Sequence, residues 1–190
     1  MLNIALFGPP CAGKGTQAKK IVEKYNLVHL STGDMIRKEI SEGTKLGQMA
    51  QRIINRGEFL SDEFVVKMIK NSISNSKEVN GFLFDGFPRT VVQAEMLDEM
   101  LETEGQLLKA LFCIEVPFEN LKSRMLERAK TEGRADDNET AIEQRFREYK
   151  SKTLPVSNYY KEKGMHVNIP GNHPVDEVFS SISDVLETMI

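Results

Sequence analysis

Apolar residues recur along the chain in two rhythms. Short, largely apolar runs occupy residues 2–7, 82–84 and 110–115, with a brief one at 28–30 and a weak last one at 167–169. Runs of this length, closed by glycine or polar residues, predict strands buried on both faces. Between them the spacing changes to three and four. Residues 14–25 predict a helix after a glycine-rich turn, and Ser31 with Thr32 offers a cap for the next helix. Two helical stretches precede Gly57, and a third opens at Ser61, aligning Phe64, Val65, Met68, Ile69 and Ile73 on one face. Helices are predicted over 91–101 and 118–129. Residues 130–137 are polar and loop-like, after which helix resumes to about Lys152 and must bend or break before Pro155. Near the end, Val175, Val178, Phe179, Ile182, Val185, Leu186 and Met189 form one helical stripe.

Strands alternating with helices predict an α/β fold of three layers, a parallel five-stranded sheet covered by helices on both faces. Ligands of such sheets bind at the carboxyl ends of the strands, where Gly8 and Asp85 stand. A length of 190 residues fits one domain with small insertions. The net charge of −3 advertises no surface for nucleic acid, and the apolar runs fall far short of the roughly 20 residues that span a membrane. The chain enters its first strand without a basic leader, and its two cysteines, Cys11 and Cys113, make no disulfide framework. A cytoplasmic protein is expected, and a monomer, because no long apolar face is left over. Of the nine arginines, five lie between Arg124 and Arg147. A solvated helical face is the usual meaning of such a run; the motifs give it another.

The first motif is Gly8-Pro9-Pro10-Cys11-Ala12-Gly13-Lys14-Gly15-Thr16, directly after a strand and at a helix start. This is the context of a phosphate loop: backbone N–H groups and the helix N-terminus face an anion while Lys14 reaches the outer phosphates. Gly15 fills the usual Ser/Thr position, and Thr16 follows one place later. The second motif, Phe82-Leu83-Phe84-Asp85-Gly86-Phe87-Pro88-Arg89, ends a buried strand on a carboxylate. Asp85 there can hold Mg²⁺ through its water shell, and Arg89 can clamp a phosphate with two hydrogen bonds.

These motifs, together with Leu30-Ser31-Thr32-Gly33-Asp34-Met35-Ile36-Arg37 and Gln93, resemble the adenylate kinase family from end to end of the chain. Val116-Pro117 leading to Arg124 and Arg128 is similar to that family's entry to its lid. Gly133-Arg134-Ala135-Asp136-Asp137-Asn138-Glu139, with Arg145 and Tyr149 beyond, is similar to the exit. Only five residues separate Arg128 from Arg134, so the resemblance is to the short-lid form, without the four-cysteine zinc subdomain of some bacterial members.

The resemblance implies a P-loop NTPase fold and reversible Mg²⁺-dependent phosphoryl transfer between ATP and AMP, giving two ADP. It divides the chain into a core (1–30, 61–129, 138–190), an AMP-side insertion (about 31–60) and a lid (about 130–137). Lys14, Arg89, Arg124, Arg128, Arg134 and Arg145 would supply the catalytic cations. ATP would lie on Cys11, Ala12, Gly13, Lys14, Gly15 and Thr16, its adenine flanked by Arg128 and by the backbone at His173. AMP would meet Thr32, Gly33 and Arg37, the backbone of Glu58, Phe59 and Leu60, the turn of Gly86, Phe87, Pro88 and Arg89, and the cations Arg134 and Arg145. Gln93 would read its adenine edge. The implied chemistry is positioning and charge neutralisation. It needs no general base, since a monophosphate's second pKa is about 6. UMP/CMP kinases are the nearest alternative, and Thr32 with Gln93 favours AMP over them. A nucleotide sensor without turnover is the remote one; the N-K-x-D motif of GTPase switches is absent from the sequence.

His29 is expected to be packed and His166 to sit at a strand edge. Cys11 stands where the family has glycine. If the position needs a positive φ, its Cβ carries a cost; if not, it is a small filler. Its thiol, beside a helix N-terminus and Lys14, is expected to be reactive, and that of Cys113, in an apolar strand, inert.

Overall fold

Ile4–Phe7 form the first strand, β1, and all four residues are buried. Alternation along the strand sends Ile4 and Leu6 into one core and Ala5 and Phe7 into another. That is the signature of a strand at the centre of a sheet covered on both sides. The structure, a computed structural model, describes residues 1–56, 58–132 and 139–190. Among them Val28–Ser31 (β2), Phe82–Asp85 (β3), Ala110–Glu115 (β4) and His166–Pro170 (β5) complete a five-stranded sheet. Its order is β2-β3-β1-β4-β5, with every pairing parallel. Ile4 lies opposite both Leu83 and Ala110. The chain therefore departs to opposite sides of β1, and a crevice opens beyond its carboxyl end.

The first core receives Ile21 from Lys14–Tyr25 (α1), Met125 from Phe118–Glu132 (α6), Phe146 from Glu139–Glu148 (α7) and Ile182 from Val175–Glu187 (α9). The second receives Ile69 from Asp62–Asn75 (α4), Leu97 from Val91–Thr103 (α5) and Tyr160 from Leu154–Glu162 (α8). Thr32–Ser41 (α2) and Lys45–Ile54 (α3) pack on each other as the insertion between β2 and α4. The expected cap forms: the Ser31 hydroxyl accepts the Asp34 N–H at 3.3 Å. His166 opens the edge strand β5, as expected.

Two features differ from the sequence reading. Residues 130–132, expected as loop, continue α6 to Glu132; Lys, Thr and Glu carry no breaker to stop it. Residues 133–138, the bulk of the predicted lid, lie outside the described residues. The bend required before Pro155 is a π-helical turn, Tyr149–Thr153, in which the Leu154 N–H reaches back to the Tyr149 carbonyl. Pro155 then sits in the first turn of α8, where its missing donor is not needed.

The mouth of the sheet opposite the crevice is tied by Asn3, which is fully buried. Its amide donates to Gln106 Oε1 at 2.9 Å and to the Leu107 carbonyl at 3.3 Å, and its Oδ1 accepts the Phe82 N–H at 3.1 Å. Truncation leaves that N–H without its partner in an apolar setting, so Asn3→Ala is expected to cost about 2–3 kcal/mol in denaturant unfolding. A loss below about 0.5 kcal/mol would show that water replaces the amide there.

Candidate active site

The crevice is built first by the turn between β1 and α1. Gly8 has φ 142°, and a Cβ there would meet the Ile114 carbonyl oxygen at 2.6 Å, so only glycine lets the loop pass. Gly13, with φ 96°, precedes α1 without any side-chain cap and with no acidic residue in the first turn. The first N–H groups of α1 are thus left for an anion. Cys11 has φ 61°. The position does require the left-handed region, and the residue is a tolerated departure with a conformational cost rather than a neutral filler. Ala12 is buried, and Thr16 is exposed at the cleft.

Lys14 folds back over this loop, its Nζ donating to the carbonyls of Gly8 and Pro9, each at 2.8 Å. Burial lowers its pKa to about 8; the Asp85 carboxylate pushes the other way, while Arg89 and Arg145 add to the lowering. Asp85 closes β3 on the opposite wall, with Oδ2 lying 3.8 Å from where a Cβ on Gly15 would project. His29 Nε2 stands 3.5 Å from the same oxygen, its ring partly buried as expected.

A cleft of about 580 Å³ joins these groups to five arginines, Arg37 of α2 among them. Arg124 and Arg128, one turn apart on α6, line it together with Arg145 of α7 and Arg89 from the β3–α5 turn. Arg89 is held in place: its Nε donates to the Gly86 carbonyl at 2.7 Å, and its guanidinium lies 5.2 Å from the Phe59 ring centre. The Thr32 hydroxyl donates to the same carbonyl at 2.9 Å. Arg37 is paired with Asp34.

A second pocket opens from this wall toward the insertion. Thr32, Gly33, Arg37, Glu58, Phe59, Leu60, Gly86, Arg89, Gln93 and Arg145 line it, bringing together most of the residues predicted for the monophosphate. Pro88 lines the adjoining cavity beside Lys14 and Tyr149, whereas Phe87 is buried in the core against Phe84. His173 is exposed near Glu177, at 3.5 Å, and does not border the cleft. Its neighbour Asn172 lines a separate hollow with Pro9 and Phe118. Arg134 lies outside the described residues.

Several lining residues escape a reading by motif. Ile54 and Val65 join Ile36 of the Leu30–Arg37 motif in the apolar wall of the second pocket, but in sequence these two read as ordinary helical residues. Lys152 sits 5.8 Å from the Phe59 ring centre, a contact no spacing could reveal. Asp62 bonds to Gln93, yet an acid after Ser61 reads simply as a favourable charge in a helix's first turn. Among the described residues no helix is long and apolar enough to cross a membrane.

The family profile described as adenylate kinase matches residues 6–165. An adenylate kinase of Phocaeicola vulgatus is 42% identical over 189 residues, covering 100% of both chains. One from Flavobacterium psychrophilum is 42% identical over 190 residues, again covering both in full. One from Caulobacter vibrioides is 41% identical over 186 residues, 98% of this chain and 97% of the relative.

Two outcomes follow from the cleft's geometry. A polyphosphate beside Lys14 raises the pKa that burial has lowered to about 8, so binding above that pH takes up a proton. Affinity for inorganic tripolyphosphate should fall above about pH 8, approaching tenfold per pH unit. Calorimetry in buffers of different ionisation enthalpy reads the proton directly; constant affinity to pH 9.5 would contradict it. Cys11 is half-buried at the cleft, whereas the buried Cys113 thiol is pushed up to about 11 by burial and by Glu115. Maleimide at pH 7 should label Cys11 first, and tripolyphosphate should slow it. Peptide mapping that found Cys113 labelled first would count against this arrangement.

Proposed function

The chain belongs to the adenylate kinase family and carries out ATP:AMP phosphoryl transfer; from that premise we propose how its residues divide the work. The phosphates of ATP lie on the loop from Cys11 to Thr16, under the N–H groups of α1, with Lys14 exchanging its two carbonyl partners for phosphate oxygens. AMP enters the pocket of the insertion, with Thr32, Gly33 and the Glu58–Phe59–Leu60 segment around its base and Gln93 along the base edge. Arg37, Arg89 and Arg145 take its phosphate. Arg124 and Arg128 stand beside the group in flight, joined by Arg134 from the lid. The observation that carries this reading is that one cleft holds Lys14 and five arginines between the loop on one side and the base pocket on the other. Two polyanions can be brought end to end only where their charge is opposed.

Mg²⁺ fits the site. Asp85 offers a hard carboxylate oxygen facing the loop, the donor that this ion takes together with substrate phosphates and water. When bound, the ion neutralises phosphate charge during transfer. The protein's own part is to hold both nucleotides in line and to exclude water. No residue needs to take a proton, because the attacking oxygen of AMP is already ionised at neutral pH. In this reading the enzyme acts as a cytoplasmic monomer. It needs no structural zinc and no nucleic-acid or membrane partner.

A coupled assay offering ATP with AMP, CMP, UMP and GMP in turn tests the acceptor. AMP should be the preferred substrate, and higher turnover with CMP or UMP would assign the chain to the other branch. Arg128→Ala should leave the fold intact and lower kcat by on the order of a thousandfold. Turnover near that of the unaltered enzyme would reduce the arginine group to a solvated face.

A further inference from the structure

We propose that Asp62 is a positioning residue that sets base specificity by fixing the side-chain amide of Gln93 in one orientation. The proposal rests on the reading that Gln93 faces the base of the monophosphate. Gln93 is 2% exposed, and both atoms of its amide are engaged. Nε2 donates to Asp62 Oδ1 at 2.8 Å, and Oε1 accepts the backbone N–H of Arg89 at 2.7 Å. Thr90 completes the arrangement: its hydroxyl donates to the same Asp62 oxygen at 3.0 Å and accepts the Gln93 N–H at 3.1 Å.

A carboxylate only accepts and a backbone N–H only donates. Turning the amide over would set Oε1 against Asp62 Oδ1 and Nε2 against the Arg89 N–H, replacing two hydrogen bonds by two repulsions. Each amide atom keeps one further valence, a second N–H and a second lone pair. Together they form a donor beside an acceptor on the wall of the insertion's pocket.

Such an edge complements a base that carries a ring nitrogen acceptor beside an exocyclic amino group, as adenine and cytosine do. Hypoxanthine, guanine and uracil carry a ring N–H beside a carbonyl and present the reverse pattern. A glutamine free to rotate would serve either. The apolar wall of Ile36, Ile54 and Val65 fits any base by shape, so discrimination along this edge depends on the lock.

The test is the ratio of kcat/KM for AMP to that for IMP, with ATP as donor, in the full-length enzyme. The two acceptors differ only along this edge. Asp62→Ala should lower the ratio at least about tenfold, with the change carried by KM for the monophosphate. Asp62→Asn, whose Oδ1 can accept the same two hydrogen bonds, should keep it within about threefold. Because both rates come from one preparation, the ratio cancels any loss of folded protein. If Asp62→Ala does not fold, Thr90→Val should lower the ratio in the same direction by removing the hydroxyl that aligns the carboxylate.

Gln93→Leu separates the two levels of the argument. If it leaves the ratio unchanged, Gln93 does not read the base, and both the reading and the proposal fall. If it collapses the ratio while Asp62→Ala or its substitute Thr90→Val leaves it within about threefold, the role of Asp62 alone is overturned. An equal loss in Asp62→Asn would assign the effect to negative charge at the start of α4 and would also overturn it.

Discussion

Cations do not gather of their own accord. Two unit charges about 6 Å apart repel by roughly 3 kcal/mol at the effective dielectric of a protein surface, and two lysines and five arginines border this one cleft. They stay together because the elements that carry them are anchored in the fold. Lys14 opens α1, Arg89 follows β3, Arg124 and Arg128 ride on α6, and Arg145 on α7. Part of the cost registers on Lys14: partial burial lowers its pKa to about 8, with Arg89 and Arg145 adding to the lowering against the opposing pull of Asp85. Bound phosphate relieves that repulsion, so affinity for the ligand is stored in the site beforehand as mutual repulsion.

The sheet explains why those elements meet. A central strand buried on both faces needs helices above and below, and the reversal of strand order at β1 spreads them apart at its carboxyl end. The two cores hold the opposite banks of the cleft. The α2–α3 insertion adds a third wall with its own apolar lining, which separates the recognition of a base from the handling of charge.

Local signals were legible in the sequence wherever one residue type meets a backbone demand. Gly8, Gly13, Lys14 and the strand-ending Asp85 announce a phosphate loop because the two glycines meet positive φ angles, and at Gly8 a close approach as well, that side chains resist. The sheet and its covering helices followed from apolar runs and stripes. Contacts between elements distant in sequence could not be read this way. Asp62 and Gln93 are 31 positions apart and meet only after α4 packs on α5. The ring of Phe59 finds Arg89 and Lys152 through the tertiary fold alone. Phe87, within a motif that points to the ligand, turns its ring into the core, since motif membership does not specify side-chain direction.

The π-helical turn at Tyr149–Thr153 joins two helices that serve opposite sides of the sheet. Ile142 and Phe146 belong to one core, Val156 and Tyr160 to the other. A turn with one residue more than the α-helix rotates everything beyond it by about 100° relative to an unbroken helix. The segment therefore works as a phase shifter. Removing one residue there would keep the helix continuous and even improve its hydrogen bonding, yet it would swing Tyr160 off its core and away from Asp98, 3.0 Å from its hydroxyl. Chain length at this joint is a parameter of fold orientation. A deletion that looks conservative as helix would be read by the protein as a change of face.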